Sequence, residues 1–443
     1  MFRPLLALTV LLAVHPGPAR AVPLTADEAV KIALQRNTQI IQADASVLSA
    51  RSGMWSAYAG VLPSLSAGST RTGTFTDELR SYSASVDQNL NVTYFRTTSR
   101  NLESRSTAQS LSSRWNVLDL ASWTNWSSAR QGLRSAQYDR TATRNEVVLG
   151  TKRQFYTVVQ AMHLARVNTQ ALRLARDSER RVRALFEVGS VSKSDLLKAQ
   201  VLTSQAELDS LTADHNVTGQ RILLAEQLGL REQELAEVDS TLAATHEPVD
   251  ATGLLAEARA ARPDLKAAEA GVRAAELGLR SAHWARLPYL AATGTYTANA
   301  RSEAKGDPFP RQTLGQRSAS LSVNWDFFDG LATDARVASA RSRLLQARAT
   351  RDALDRNLES EVHQALLGYQ ESIERASLAN RTLESASESF NLVQQKYNVG
   401  SATILDLIDS QVQLQRAQSN LVSAMAAIQV ALAQLDQVRG RPQ

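Results

Sequence analysis

Apolar and polar positions alternate with period two near residue 320: Leu321, Val323, Trp325 and Phe327 fall on one side, Ser320, Ser322, Asn324 and Asp326 on the other. Successive strand side chains point to opposite faces, so this pattern predicts a strand with one apolar and one polar face. Similar segments predict strands over about 64–75, 108–118, 289–299 and 317–328. Each is about ten residues, the length a tilted strand needs to cross a bilayer. The pattern alone also fits a soluble antiparallel hairpin with one buried face. The intervening stretches 76–107 and 300–316 are polar and read as loops, with Asp77 and Glu78 in one and Gly306, Asp307, Pro308 and Pro310 in the other.

Elsewhere the period is helical. Opening helices are predicted over about 25–60 and 254–285. Thr25 and Glu28 form a capping-box pattern at the first of them. Pro63 and Pro288 end both, because proline disfavours helix at the residue before it. Long helices follow over about 120–187 and 331–398. At 1.5 Å per residue each would be roughly 100 Å long. Tight turns at Gly189 and Gly400 lead into returning helices over about 192–228 and 403–437. An opening and a returning helix stacked end to end would match a long one. The last helix carries a heptad, Leu407, Leu414, Leu421, Ile428 and Leu435, with Ser410, Ala417, Ala424 and Ala431 three residues on. Such seams suit close helix packing in a left-handed supercoil.

These elements occur twice. Phe186-Glu187-Val188-Gly189-Ser190, followed by Asp195-Leu196-Leu197, recurs as Tyr397-Asn398-Val399-Gly400-Ser401, followed by Asp406-Leu407-Ile408. The offset is constant: 400 − 189 = 211 and 406 − 195 = 211. Two long repeats imply two copies of one structural unit. The expected division is a leader at 1–21, a first repeat at 22–228, a linker at 229–253, a second repeat at 254–438 and a short tail at 439–443.

Composition narrows the class. Aromatics make up only 5% of 443 residues, too few for large compact cores. Arg3, the apolar run Leu5 to Val14 and Ala19-Arg20-Ala21 read as a secretory signal cleaved before Val22. After it no apolar stretch is expected to reach the roughly twenty residues of a membrane helix, so a membrane seat would have to be a β-barrel. There is no cysteine. The formal charge of +5 is spread without a basic block, which argues against nucleic acid as a partner. Nucleotide-loop, zincin and nucleophile-elbow motifs are absent, and the histidines of the mature chain stand singly. No enzyme activity, cofactor or metal site is expected.

The chain resembles the outer-membrane efflux proteins, the TolC-like exit ducts of Gram-negative bacteria. The matching residues are Leu24-Thr25-Ala26-Asp27-Glu28-Ala29, the Leu-Pro-Ser/Tyr-Leu segments at 62–65 and 287–290, and the two Val-Gly-Ser turns with their following Asp-Leu-Leu/Ile. The resemblance implies a mainly α fold with a membrane β-barrel: a homotrimer whose chains each give four strands to a twelve-stranded outer-membrane barrel, continued by a periplasmic α-helical barrel. It implies a passive channel reached through a periplasmic adaptor protein from an inner-membrane pump of RND, ABC or MFS type, serving efflux or type I secretion. Outer-membrane lipid would surround it. A periplasmic adaptor of coiled-coil type is the alternative.

The resemblance also assigns sites. Asp406, Asp409, Tyr397 and Asp195 match the pore gate, and Val188, Gly189, Ser190, Val399, Gly400 and Ser401 the adaptor-docking tips. Trp115, Trp325 and Phe327 lie at strand ends, where membrane-interface aromatics belong. One position departs from the pattern, since Ala402 stands where an arginine is expected. Ser192 and Thr403 also place Asp195 and Asp406 in capping boxes, a structural role in its own right.

Overall fold

A computed structural model of the chain describes residues 23–88, 90–242, 253–302 and 312–440. The expected signal, the Pro248 part of the linker, Gly306 to Pro310 and the end of the tail lie outside them. The chain divides into two compact units, one of residues 1–45, 138–265 and 353–443, the other of 46–137 and 266–352.

The strand-bearing unit holds an antiparallel sheet of β1 (Ser64–Val86), β2 (Val92–Leu118), β3 (Tyr289–Ser302) and β4 (Gln312–Asn324), hydrogen-bonded in that order. The region 76–107, expected as loop, is corrected to strand: β1 and β2 stay paired from Ser64↔Arg114 to Val86↔Val92. Thr72, Thr74, Phe75, Tyr82, Thr93, Tyr94 and Phe95 supply the β-branched and aromatic residues that favour pairing. The backbone ladder accepts the polar residues among them. The 300–316 stretch is likewise strand at both ends, up to Ser302 and from Gln312. The fourth strand starts and ends earlier than expected, running from Gln312 to Asn324, so Trp325, Phe327 and Phe328 lie just beyond it.

Register sorts this sheet into two faces. Leu65, Leu111, Trp115, Leu290, Ala292, Tyr296, Leu321 and Val323 share one face, and most of them are exposed. The other carries hydroxyls. Ser66 and Ser112 share a hydrogen bond of 2.6 Å, Thr293 and Ser320 another of 2.6 Å, and Thr295 bonds Ser318.

Helices join the sheet through matching devices. The Trp115 indole N–H donates to the Val61 carbonyl (2.9 Å), and the Trp325 indole N–H to the Arg286 carbonyl (3.0 Å). Both acceptors stand two residues before the prolines at 63 and 288. Asp119 then caps α3 (Leu120–Glu187) by accepting from the Ala121 and Ser122 amides. Asp329 accepts from the Thr333 amide at the start of α7 (Ala332–Asn398). The serines at 128, 135 and 281 donate to carbonyls of the facing helix, letting α3 and α6 (Pro263–Trp284) approach closely.

Each opening helix is corrected to two. In the first repeat α1 (Ala26–Arg36) breaks at Asn37 before α2 (Thr38–Ala59). Asn37 has extended backbone, accepts from the Gln39 amide and donates to the Gln227 carbonyl. In the second repeat α5 (Leu254–Ala261) breaks at Arg262 before α6. Pro263 forces that break by excluding helix at Arg262, whose guanidinium is held by Asp264 and Glu361.

A glycine abuts each break. Gly229 caps α4 (Lys193–Leu228) with φ +68°, and Gly440 follows α8 (Ile404–Val438) with φ +68°. They are related by the repeat offset, 440 − 229 = 211. A Cβ on Gly229 would lie 2.6 Å from the Arg36 carbonyl oxygen, and one on Gly440 3.0 Å from the Arg262 nitrogen. Around these joints sit two buried clusters. One gathers Val147, Phe155, Val158, Leu224 and Leu228 with Leu24, Ala29, Leu235 and Val238. The other gathers Leu358, Val362, Leu435 and Val438 with Leu254 and Ala258. Val147/Leu358 and Leu224/Leu435 are again 211 apart. Leu24, just before α1, pairs with Val238 of the linker as an isolated parallel bridge.

The last helix corrects another expectation. Ile404–Val438 is long and apolar enough to cross a membrane by length and composition. It carries no charge between Arg416 and Asp436, because alanine and amides fill the interval. Its heptad residues Leu407, Leu414, Ala417, Ala424, Ile428 and Leu435 are nonetheless buried within the protein.

Gly229→Ala should lower the thermal stability of the detergent-solubilised protein by about 1–3 kcal/mol, combining a left-handed backbone with a steric clash. Gly219→Ala lies inside α4 with open space at its Cβ and should be neutral or stabilising by up to about 1 kcal/mol. Equal midpoints for the two variants would show that the joint does not constrain the fold.

Candidate functional site

The two Val-Gly-Ser turns come together. Gly189 and Gly400 have φ +75° and +79°, the left-handed region that favours glycine. Beneath them Val182 and Ala199 pack with Phe390, Ile404, Leu407 and Leu414 in one buried cluster. Above it is a groove of about 620 Å³ lined by residues of both turns, among them Asp195, Lys198, Tyr397, Gly400, Ala402 and Thr403. Val188 and Val399 are 75% and 80% exposed, so both tips present apolar side chains to their surroundings.

Both capping boxes form. The Thr403 amide and hydroxyl donate to Asp406 Oδ2 at 2.8 and 2.7 Å, and the Asp406 amide donates back to Thr403 Oγ1 at 3.2 Å. Ser192 and Asp195 repeat the arrangement, with a hydroxyl–carboxylate distance of 2.7 Å. The donated Thr403 hydroxyl proton is the main reason the Asp406 carboxyl titrates below its ordinary range. The Ser192 hydroxyl does the same for Asp195, helped by Lys198, whose Nζ lies 3.5 Å away.

Asp409 stands apart from these caps. It is exposed one turn deeper in α8 and has no hydrogen bond or ion pair among the described residues. Asp406 and Asp409, three positions apart, share a helix face. The repeat counterpart of Asp409 is Lys198 (409 − 211 = 198), so the hairpins differ in sign at this level.

Tyr397 lines the same groove. Its hydroxyl is buried and has no hydrogen-bond partner among the described residues. Burial, then the nearby Asp195 charge, pushes its pKa up, opposed by Arg181. Its ring packs against the tip cluster.

Sequence reasoning missed the glycine and helix-break joints, although Pro263 and the 211-residue spacing of Gly229 and Gly440 signal them. It also missed the indole hydrogen bonds of Trp115 and Trp325. Phe327, 85% exposed, stacks edge-on against Trp325. Among the described residues no cluster of His, Asp or Glu could hold a metal ion.

A four-stranded antiparallel sheet and two long helical hairpins are also the elements of solved outer-membrane channels. Solved structures agree in fold across nearly the whole chain. The outer-membrane channel OprN covers 94% of this chain and 89% of its own, at 17% identity and a TM-score of 0.77. The Campylobacter jejuni CmeC outer membrane channel covers 94% and 85%, at 14% identity and a TM-score of 0.78. Residues 254–441 match the family model described as outer membrane efflux protein. Outer membrane protein TolC of Escherichia coli (strain K12) is 22% identical over 333 residues, 73% of this chain and 67% of that protein. The resemblance read from the duplicated turns is borne out: the chain is TolC-like in fold, and its second repeat carries the efflux-protein pattern.

Since the Tyr397 hydroxyl is buried without a partner, Tyr397→Phe should leave stability unchanged or slightly raised. The caps give a pH signature. A depressed carboxyl pKa adds stability above the unfolded value, about 4, and that stability is lost as pH falls through the folded value. Tip amides at 192–195 and 403–406 should therefore lose hydrogen-exchange protection below about pH 4, while protection stays level between neutral and mildly acidic pH. Loss of protection already at pH 6 would contradict the caps as its source.

Proposed function

We propose that this chain is a passive outer-membrane efflux duct, working as a homotrimer. The observation that carries this reading is the four-stranded sheet. One face exposes Leu65, Leu111, Trp115, Leu321 and Val323 toward the helix-proximal end, and β1 and β4 each pair with a single neighbour. Unpaired backbone groups are intolerable in hydrocarbon, and four strands cannot close a barrel. Three copies give twelve strands and remove every edge. The apolar face then meets outer-membrane lipid, with Trp115, Trp325 and Phe327 at its periplasmic margin. The hydroxyl face lines a water-filled lumen.

The helical hairpins extend into the periplasm. The exposed tips 188–190 and 399–401 receive a periplasmic adaptor, which links the duct to an inner-membrane pump. The proposed division keeps residues 22–228 and 254–438 as the two repeats, 229–253 as their linker, 1–21 as a leader and 439–443 as a tail. Asp406 and Asp409 ring the axis at the closed end, with Tyr397 and Asp195 beside them. The adaptor alternative is not supported: the matched family and the structural neighbours are outer-membrane proteins and channels.

Native mass spectrometry of the detergent-solubilised protein should give a trimer, and a stable monomer would remove the shared-barrel reading. In planar bilayers the Asp406→Asn/Asp409→Asn double variant should lose cation preference, because rings of like-charged carboxylates attract cations. Unchanged selectivity would leave both residues as helix-start acids alone.

A further inference from the structure

The hydroxyl face of the sheet carries one cation at its helix-proximal end. Arg114 of β2 pairs in register with Ser64 of β1 and Thr293 of β3, and Thr293 pairs with Ser320 of β4. The next row is Ser66, Ser112, Thr295 and Ser318, and the one after it Gly68, Ser110, Thr297 and Gln316. Over these three rows every other residue on that face is uncharged. The Arg114 side chain is exposed and makes no ion pair among the described residues. Its neighbours Ser113 and Trp115 alternate to the apolar face.

An arginine fixed among hydroxyls, with no carboxylate to neutralise it, is an anion-binding group. Its guanidinium matches carboxylate and phosphate geometry, and flanking hydroxyls can share in holding an oxyanion. A twelve-stranded barrel tilted by about 40° has a backbone radius of about 12 Å. An extended arginine spans about half of that. Three such groups would stand within about a Debye length of one another at 0.1 M salt, so their potentials add.

We propose that Arg114 forms a threefold guanidinium ring at the base of the barrel lumen, an anion-attracting site that favours passage of carboxylate- or phosphate-bearing solutes. This rests on the trimeric duct reading and adds to it a second charge filter, opposite in sign to the Asp406–Asp409 end.

The test is the reversal potential of the purified full-length protein in planar bilayers under a KCl gradient, for the wild type, Arg114→Gln, Arg114→Lys and Arg114→Glu. At about 0.1 M salt, Arg114→Gln should raise the cation-to-anion permeability ratio about twofold and Arg114→Glu further, with Arg114→Lys near the wild type. Near 1 M salt, where the Debye length is about 3 Å, the differences should shrink. Adding inorganic triphosphate should reduce chloride current in the wild type and not in Arg114→Gln. Variants that conduct as trimers with unchanged ratios and triphosphate response would overturn the ring and leave the duct intact. Absence of any conducting pore in the wild type would instead overturn the duct reading.

Discussion

Backbone hydrogen bonding at a sheet edge is the constraint on which the rest depends. Alternate residues of β1 and β4 point their backbone N–H and C=O groups away from the one partner strand. In water those groups can be solvated; in hydrocarbon each unsatisfied group costs several kcal/mol. A chain with an apolar sheet face and two open edges is therefore incomplete alone. The same applies to the helices. Their seams are built from Ala199, Ala206, Ala417 and Ala424, and Leu197, Val201, Leu208 and Leu211 remain exposed along α4. On the trimeric reading, burial that a compact domain would obtain from a large core would come from neighbouring copies.

Small residues set how this works locally. Serine and alanine at helix contacts permit close approach, and Ser128, Ser135 and Ser281 each turn that approach into a hydrogen bond to a facing carbonyl. Larger side chains are concentrated where the chain must bend. Phe155, Leu224, Leu228 and Leu235 surround the first helix break, and Leu358, Leu435 and Leu254 the second. Packed joints thus separate the stretches of helix.

Much of this is legible in the sequence because it is written twice. The boundaries of α3, α4, α7 and α8 follow from capping residues and glycine turns, which act within a few positions of themselves. The length of the β1–β2 hairpin is not legible that way. Residues 76–107 lack the alternation that marks a half-buried strand, while the backbone ladder continues regardless. Asn37 hides its break for a related reason: asparagine is tolerated inside helices, and only its contact with Gln227 shows what it does. At the tips, the sequence indicates the paired carboxylates but not that the Tyr397 hydroxyl is left without a partner among the described residues, since that depends on packing between two hairpins 211 residues apart.

The indole hydrogen bonds bear on symmetry. Trp115 and Trp325 fix strand to helix in the same way in both repeats, whereas Lys198 and Asp409 occupy one repeat position with opposite charge. The duplication is therefore equal where backbone is anchored and unequal where charge is displayed. Losing one indole removes one of two like anchors, whereas losing Lys198 or Asp409 removes a charge that the other repeat does not duplicate.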